Sequence, residues 1–366
     1  MLQALIRTLA VYGLLTVSLW TGARYSSEKR NMLFLICAVA VYAVLFGLRS
    51  GVGMDYYSYE RWYEDATLGI ASYAHLEPGF RFLLDACASM HLPFSVFLGL
   101  IAFVQLILVF RSVRPFSDAY PFLALVFMLG GIWLTYANAL RQQLAFCIFA
   151  YSLRFIADRH WLKYYICIAV AMLFHVSAFI LLFIYPFYMV RSGWFRRRGV
   201  QICLLVAALA FSHISFAETV SGYVDGFAAF LGYDIYLSDG YELTQTVRRG
   251  LGYWINLSIS FCLILWSSEV KSHFNDRLVD IMYDLFYFGV LWRYLFIDSI
   301  VFSRVNYYFG GFEYIFAALT LTALWYKQDM RKVLLLALYG MVFIALMYRM
   351  NTNTALFMFN WQNVVI

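Results

Sequence analysis

A chain of 366 residues that is 63% hydrophobic and 13% charged, with mean hydropathy +0.72 and net charge +6, does not read as a soluble domain. Its repeated apolar runs read as one all-α, polytopic integral membrane domain over 1–366. The modest positive charge reads as membrane topology rather than nucleic-acid affinity, so no nucleic-acid partner is expected.

About twelve apolar segments of transmembrane or re-entrant character follow in chain order. They cover roughly 3–22, 31–48, 93–110, 119–136, 139–157, 161–174, 176–190, 200–216, 250–267, 279–297, 306–325 and 333–348. The first lacks a small-residue cleavage site and is followed by charges, so it reads as a span rather than a cleaved leader. The short connections after the odd-numbered segments carry basic residues, including all five lysines, Lys29, Lys163, Lys271, Lys327 and Lys332. The positive-inside rule places those connections in the cytoplasm. Two long loops, 49–92 and 217–249, then face the other side. Trp161 to Val190 fits this map only as a hairpin broken near "FHVS", because both of its flanks are basic. Each arm is then roughly 18–22 Å long at 1.5 Å per residue, short of a ~30 Å hydrocarbon core. Either the arms extend further, or His175 lies below the outer surface in a polar cavity.

The outward-facing polar stretches come next. "RSGVGMDYYSYERWYE" (49–64) places Asp55 and Tyr59 four residues apart, on one face of a helix. Gly51 and Gly53 precede them and permit a tight turn. Its aromatics, Tyr56, Tyr59 and Trp62 among them, read either as an interfacial belt or as sugar-stacking surfaces. "HLEPGFRFLL" (75–84) sets Glu77 before a proline and begins an amphipathic piece suited to an interfacial helix. "NALRQQLAF" (138–146) puts Arg141 and Gln142 at the start of a span, where polar groups are costly. "YVDGFAAFLGYDIYLSDGYELTQTVRRG" (223–250) holds scattered carboxylates followed by Arg248 and Arg249, and reads as a binding loop. "SRVNYYFGG" (303–311) offers Arg304. Every cation on this side is arginine. Either these side chains snorkel and pair with loop acids, or their planar forks capture phosphate. The cysteines lack metal spacing, and no phosphate-cradling glycine loop, H-E-x-x-H or G-x-S-x-G occurs. No cofactor and no metal are therefore expected.

In order, "RSGVGMDYYSY", "EPGFRFLL", "LRQQLAF" and "LFHVSAFI" resemble the EpsG-like family of Wzy-type O-antigen and exopolysaccharide polymerases. The shared pattern falls on Arg49, Gly53, Asp55 and Tyr59; on Glu77 and Pro78; on Arg141 and Gln142; and on Phe174, His175, Ser177 and Ala178. The resemblance covers about residues 45–190 and extends loosely to Arg304; Arg248 and Arg249 align to no pattern. It implies a glycosyltransferase of the membrane-embedded C type in the bacterial inner membrane. Such an enzyme would join undecaprenyl-diphosphate-linked oligosaccharide repeats at the periplasmic face, alongside a flippase and a chain-length regulator. In that reading Asp55 or Glu77 is the general base, Asp55 being preferred for its helix-side partner Tyr59, and His175 contacts the leaving diphosphate or shuttles a proton. Arg49, Arg141, Gln142, Arg304, Arg248 and Arg249 hold diphosphate, while Tyr56, Tyr59 and Trp62 guide sugars. The rivals are an O-antigen ligase, with the same chemistry and another acceptor, and a transporter or flippase for lipid-linked oligosaccharide. A transporter should place charges on several spans near the midplane, whereas here the polar groups gather on one side.

Overall fold

The computed structural model describes residues 2–53, 55–189, 197–212 and 250–352. The loop 217–249, with Arg248 and Arg249, lies outside the described residues. Those described form helices and no strand element. Among the described residues, two helices, Phe94–Ser112 and Arg331–Tyr348, are long and apolar enough to cross a membrane, or up to four spans if each bent pair counts as one. Large apolar side chains cover the outside, with Val17 62%, Val44 62% and Ile344 68% exposed. An outer surface of this kind suits lipid rather than water.

The early helices show how local sequence sets the bundle. α1 (Leu2–Lys29) continues past its apolar run because Arg24 and Glu28 pair at 2.7 Å across one turn. α2 (Met32–Gly47) starts at Asn31, whose Oδ1 accepts the Leu33 N–H at 2.9 Å. α3 (Tyr56–Thr67) and α4 (Pro78–Ser89) are the short helices of the 49–92 stretch. α4 buries Phe80, Leu84, Cys87 and Ala88 and exposes Phe82, an amphipathic pattern. α5 (Phe94–Ser112) crosses α2 closely, since a Cβ on Gly47 would stand 2.3 Å from the Ser95 carbonyl oxygen. Small residues allow that approach.

Several expected segments are broken rather than continuous. The 119–136 run divides into α6 (Tyr120–Leu129) and α7 (Ile132–Asn138), bent by 69°. Gly131 at the break has φ +67°, a conformation that favours glycine. α8 (Leu140–Ala157) then runs unbroken. The 161–190 stretch is α9 (Trp161–Met172), a turn, a 3₁₀ segment (Val176–Phe183) and α10 (Ile184–Met189). The chain reverses there: Tyr164 near the start of α9 donates to the Leu181 carbonyl at 2.6 Å, and its ring lies 5.6 Å from Tyr185. The 3₁₀ stretch rises about 2 Å per residue, so the returning arm reaches roughly 25 Å, longer than an α-helix of that length. α11 (Arg198–Phe211) follows. The 250–267 run becomes α12 (Leu251–Leu265), and a 48° bend leads into the polar α13 (Ser267–Phe274). After α14 (Arg277–Leu295), the 306–325 run is also divided, into α16 (Tyr307–Gly310), behind the short α15 (Ile300–Val305), and α17 (Phe312–Tyr326). α18 (Arg331–Thr352) closes the described chain.

The connections grouped by positive charge meet one another. Ser27 and Tyr326 both donate to Asp118, at 3.3 and 2.9 Å. Glu269 pairs with Arg331 at 2.9 Å and with Arg198 at 3.5 Å. Arg154 donates to the Arg111 carbonyl at 2.5 Å, and Arg277 to that of Ala157 at 3.3 Å. Arg154 and Ala157 end α8; the polar motifs gather instead around its first turn.

One glycine ties these motifs together. The Gly79 N–H donates to the Leu173 carbonyl at 2.8 Å, and a Cβ at Gly79 would meet that oxygen at 2.8 Å and the Leu173 Cβ at 2.9 Å. Gly79→Ala must push α4 away from the 173–175 turn. We expect a loss of about 1–3 kcal/mol, typical of overpacking, read as a lower unfolding temperature in detergent. A Gly79→Ala protein as stable as the parent would contradict the close approach.

Candidate active site

Four separate stretches deliver polar side chains to one place beside the first turn of α8. Arg141, on that turn, pairs with Glu77, their side chains being 23% and 13% exposed. Its charge also acts on the Tyr59 phenol, and it lies over the Trp62 ring at 5.7 Å. The second Glu77 oxygen accepts the Val176 N–H at 3.1 Å. The E-P-G sequence thus has three local tasks: Glu77 joins α8 to the 3₁₀ segment, Pro78 starts α4, and Gly79 permits the contact with Leu173.

Asp55 sits at the N-terminus of α3, its backbone N–H held by Asn138 Oδ1 at 2.9 Å. Gly53, at φ +101°, packs against the same Asn138, which fixes the turn that presents Asp55. Burial holds the Asp55 carboxyl above the usual aspartate range, against the opposing pull of Arg304 and Arg141. Tyr59, one turn along, is 4% exposed, and burial pushes its phenol up to about 12.

His175 is the N-cap of the 3₁₀ segment. Its Nδ1 accepts the Ser177 N–H at 3.3 Å and lies 2.7 Å from Ser177 Oγ. Ser177 Oγ in turn lies 3.1 Å from the Tyr308 hydroxyl. The fields of Arg141 and Arg304 both reach His175, as they reach Asp55 and Tyr59. Gln142 Nε2 donates to the Arg304 carbonyl at 2.7 Å and so fastens α15 to α8.

The expected residues therefore divide. Asp55, Tyr59, Trp62, Glu77, Arg141, His175 and Arg304 share one electrostatic neighbourhood. Gln142 engages backbone. Arg49 is 2% exposed, stacks on Phe46 at 4.2 Å, and donates to the carbonyls of Phe46 at 3.0 Å and Ala137 at 3.3 Å. It joins the end of α2 to α7, beside Asn138. Tyr56 is 4% exposed and donates to Glu60 at 3.1 Å; the outward ring of that stretch is Tyr57, 66% exposed. Asn138 and Tyr308, inside the polar stretches 138–146 and 303–311, and Ser177, a residue of the family pattern, carry no role in the sequence reading. Their importance comes from contacts over long sequence separations. Among the described residues, no three His, Cys, Asp or Glu side chains gather as a metal site.

An apolar helical bundle with a cluster of arginines, carboxylates and a histidine beside the first turn of α8 has the character of a membrane protein with a polar candidate site. The chain belongs to the EpsG family, whose family model matches residues 32–363. Membership makes it a membrane protein of polysaccharide biosynthesis. No curated protein and no solved structure matches it.

Proposed function

We propose that this chain is a polymerase of undecaprenyl-diphosphate-linked oligosaccharide repeats, acting at the periplasmic face of the bacterial inner membrane. The observation that carries the reading is the meeting of Asp55, Arg141, His175 and Arg304 from four polar stretches at one end of an apolar bundle. Asp55 takes the proton of an acceptor sugar hydroxyl. The hydroxyl oxygen bonds to the donor's anomeric carbon as the bond from that carbon to the diphosphate oxygen breaks. Arg141 and Arg304 carry the negative charge growing on the leaving diphosphate, and His175 adds a hydrogen bond to it. No nucleotide or metal is needed, because the leaving group arrives activated.

Glu77 serves as the partner that aims Arg141, with both of its oxygens engaged. Arg49 and Gln142 serve as positioning residues. Trp62 is placed to meet a sugar face near Arg141. About twelve spanning or re-entrant segments, in the manner of C-type glycosyltransferases, would set this site at the outer leaflet, with lateral entry for the lipid. A flippase would supply the repeats, and a chain-length regulator would end the growth.

Loss of the gene, read on a gel of surface polysaccharide, tests the proposal. Single repeats in place of a ladder are expected. Absence of every repeat from the surface would instead identify a ligase or a flippase.

A further inference from the structure

We propose that Tyr308 and Ser177 form a hydrogen-bond relay that sets the tautomer and aim of His175. Nδ1 of His175 lies 3.3 Å from the Ser177 backbone N–H, a group that can only donate. Nδ1 is therefore an acceptor, and the neutral ring carries its proton on Nε2. Ser177 Oγ, 2.7 Å from the same nitrogen, then also donates to it. Its single proton is thereby committed, so the contact of 3.1 Å with Tyr308 has Tyr308 as the donor. Donation runs from Tyr308 through Ser177 to His175, and each bond polarises the next. Ser177 is 1% exposed and Tyr308 is fully buried, so water does not compete for these hydroxyls.

The relay also joins two parts of the site. Tyr308 lies on α16, four residues beyond Arg304, while Ser177 lies in the first turn of the 3₁₀ segment that His175 caps. One chain of hydroxyls thus locks the histidine to the segment that presents Arg304. A ring fixed through Nδ1 offers Nε2–H as its donor. Ser177 and Tyr308 are positioning residues acting through His175. The inference rests on the reading of His175 as a hydrogen-bond donor to the leaving diphosphate.

The experiment uses the full-length protein in nanodiscs, labelled with ¹⁵N-histidine, with the His175 signals assigned by their loss in His175→Gln. The parent should show Nε2 protonated and Nδ1 unprotonated at neutral pH. Ser177→Ala should move the Nδ1 signal and lower kcat by about tenfold to a hundredfold with KM little changed, part of what an acid–base or donor side chain supplies. Ser177→Thr, which keeps the hydroxyl, should recover both, and Tyr308→Phe should give a smaller change of the same kind. A protonated Nδ1 in the parent would overturn the relay. So would a Ser177→Ala protein with parental spectra and turnover. A parent that shows the expected signals and their sensitivity to Ser177, yet joins no lipid-diphosphate-linked repeats, would uphold the relay and remove the polymerase reading.

Discussion

Arg141→Lys should lower turnover of lipid-diphosphate-linked repeats by about 10²–10³-fold, the usual cost of removing a preorganised donor from developing charge. Arg141 works in several directions at once. It pairs with Glu77, acts electrostatically on Tyr59 and lies over Trp62 and Phe80, at 5.7 and 5.9 Å. A planar guanidinium can satisfy these contacts and still present an N–H edge to a phosphate oxygen. An ammonium is a single point of charge. Drawn to Glu77, it leaves the phosphate; drawn to the phosphate, it leaves Glu77 unpaired. The protein should still fold, because Glu77 keeps a cation nearby. Arg141→Ala is the harsher change, since breaking a buried pair costs about 3–5 kcal/mol. Turnover assays on matched amounts of folded protein separate the two effects. Parental turnover by Arg141→Lys would reduce this arginine to an anchor between α8 and α4.

Much of this arrangement could be read before the structure, and the reason is specific. In a chain this apolar, every polar stretch is conspicuous, so Asp55, Glu77, Arg141, His175 and Arg304 stood out by their surroundings. The helical class followed from the apolar runs, and the hairpin around His175 from the basic residues flanking it. What the sequence could not supply was the division of labour among similar side chains. Arg49 and Arg141 look alike as arginines beside apolar runs, yet Arg49 spends its N–H groups on the carbonyls of Phe46 and Ala137. Glu77 and Asp55 were both candidates for a base, with Asp55 preferred only for sharing a helix face with Tyr59. Only packing reveals that both Glu77 oxygens are engaged, by partners 64 and 99 residues away. Chain breaks were missed for a related reason: at Gly130–Gly131 and at 306–311 hydropathy continues while the backbone turns, so an average over a window passes across the bend. Tyr308 lay unmarked among many tyrosines until its hydroxyl was found against Ser177.

Asp55→Asn should lower turnover by about 10²–10⁴-fold, the range supplied by a general base, while leaving the protein at least as stable as the parent at neutral pH. The two expectations share one cause. Burial holds the folded-state carboxyl above the ordinary aspartate range, with Arg304 and Arg141 only partly opposing it. The native protein therefore holds this proton more tightly than the unfolded chain does. The resulting contribution to stability is fully present below the unfolded pKa and is lost as pH rises through the folded one. Above that window Asp55 is a charge kept in an unfavourable place, which is the state a base requires. Asparagine keeps the shape and the backbone N–H bond donated to Asn138 Oδ1 but removes the buried charge. Unfolding temperatures in detergent should therefore diverge in favour of Asp55→Asn as pH rises from acid to neutral, and the acid limb of parental turnover should fall at a pH above the ordinary aspartate value. A variant with parental turnover would take the base role from Asp55. A variant less stable than the parent at neutral pH would mean that Arg304 and Arg141 outweigh burial, and that the carboxylate holds the fold together instead of waiting for a proton.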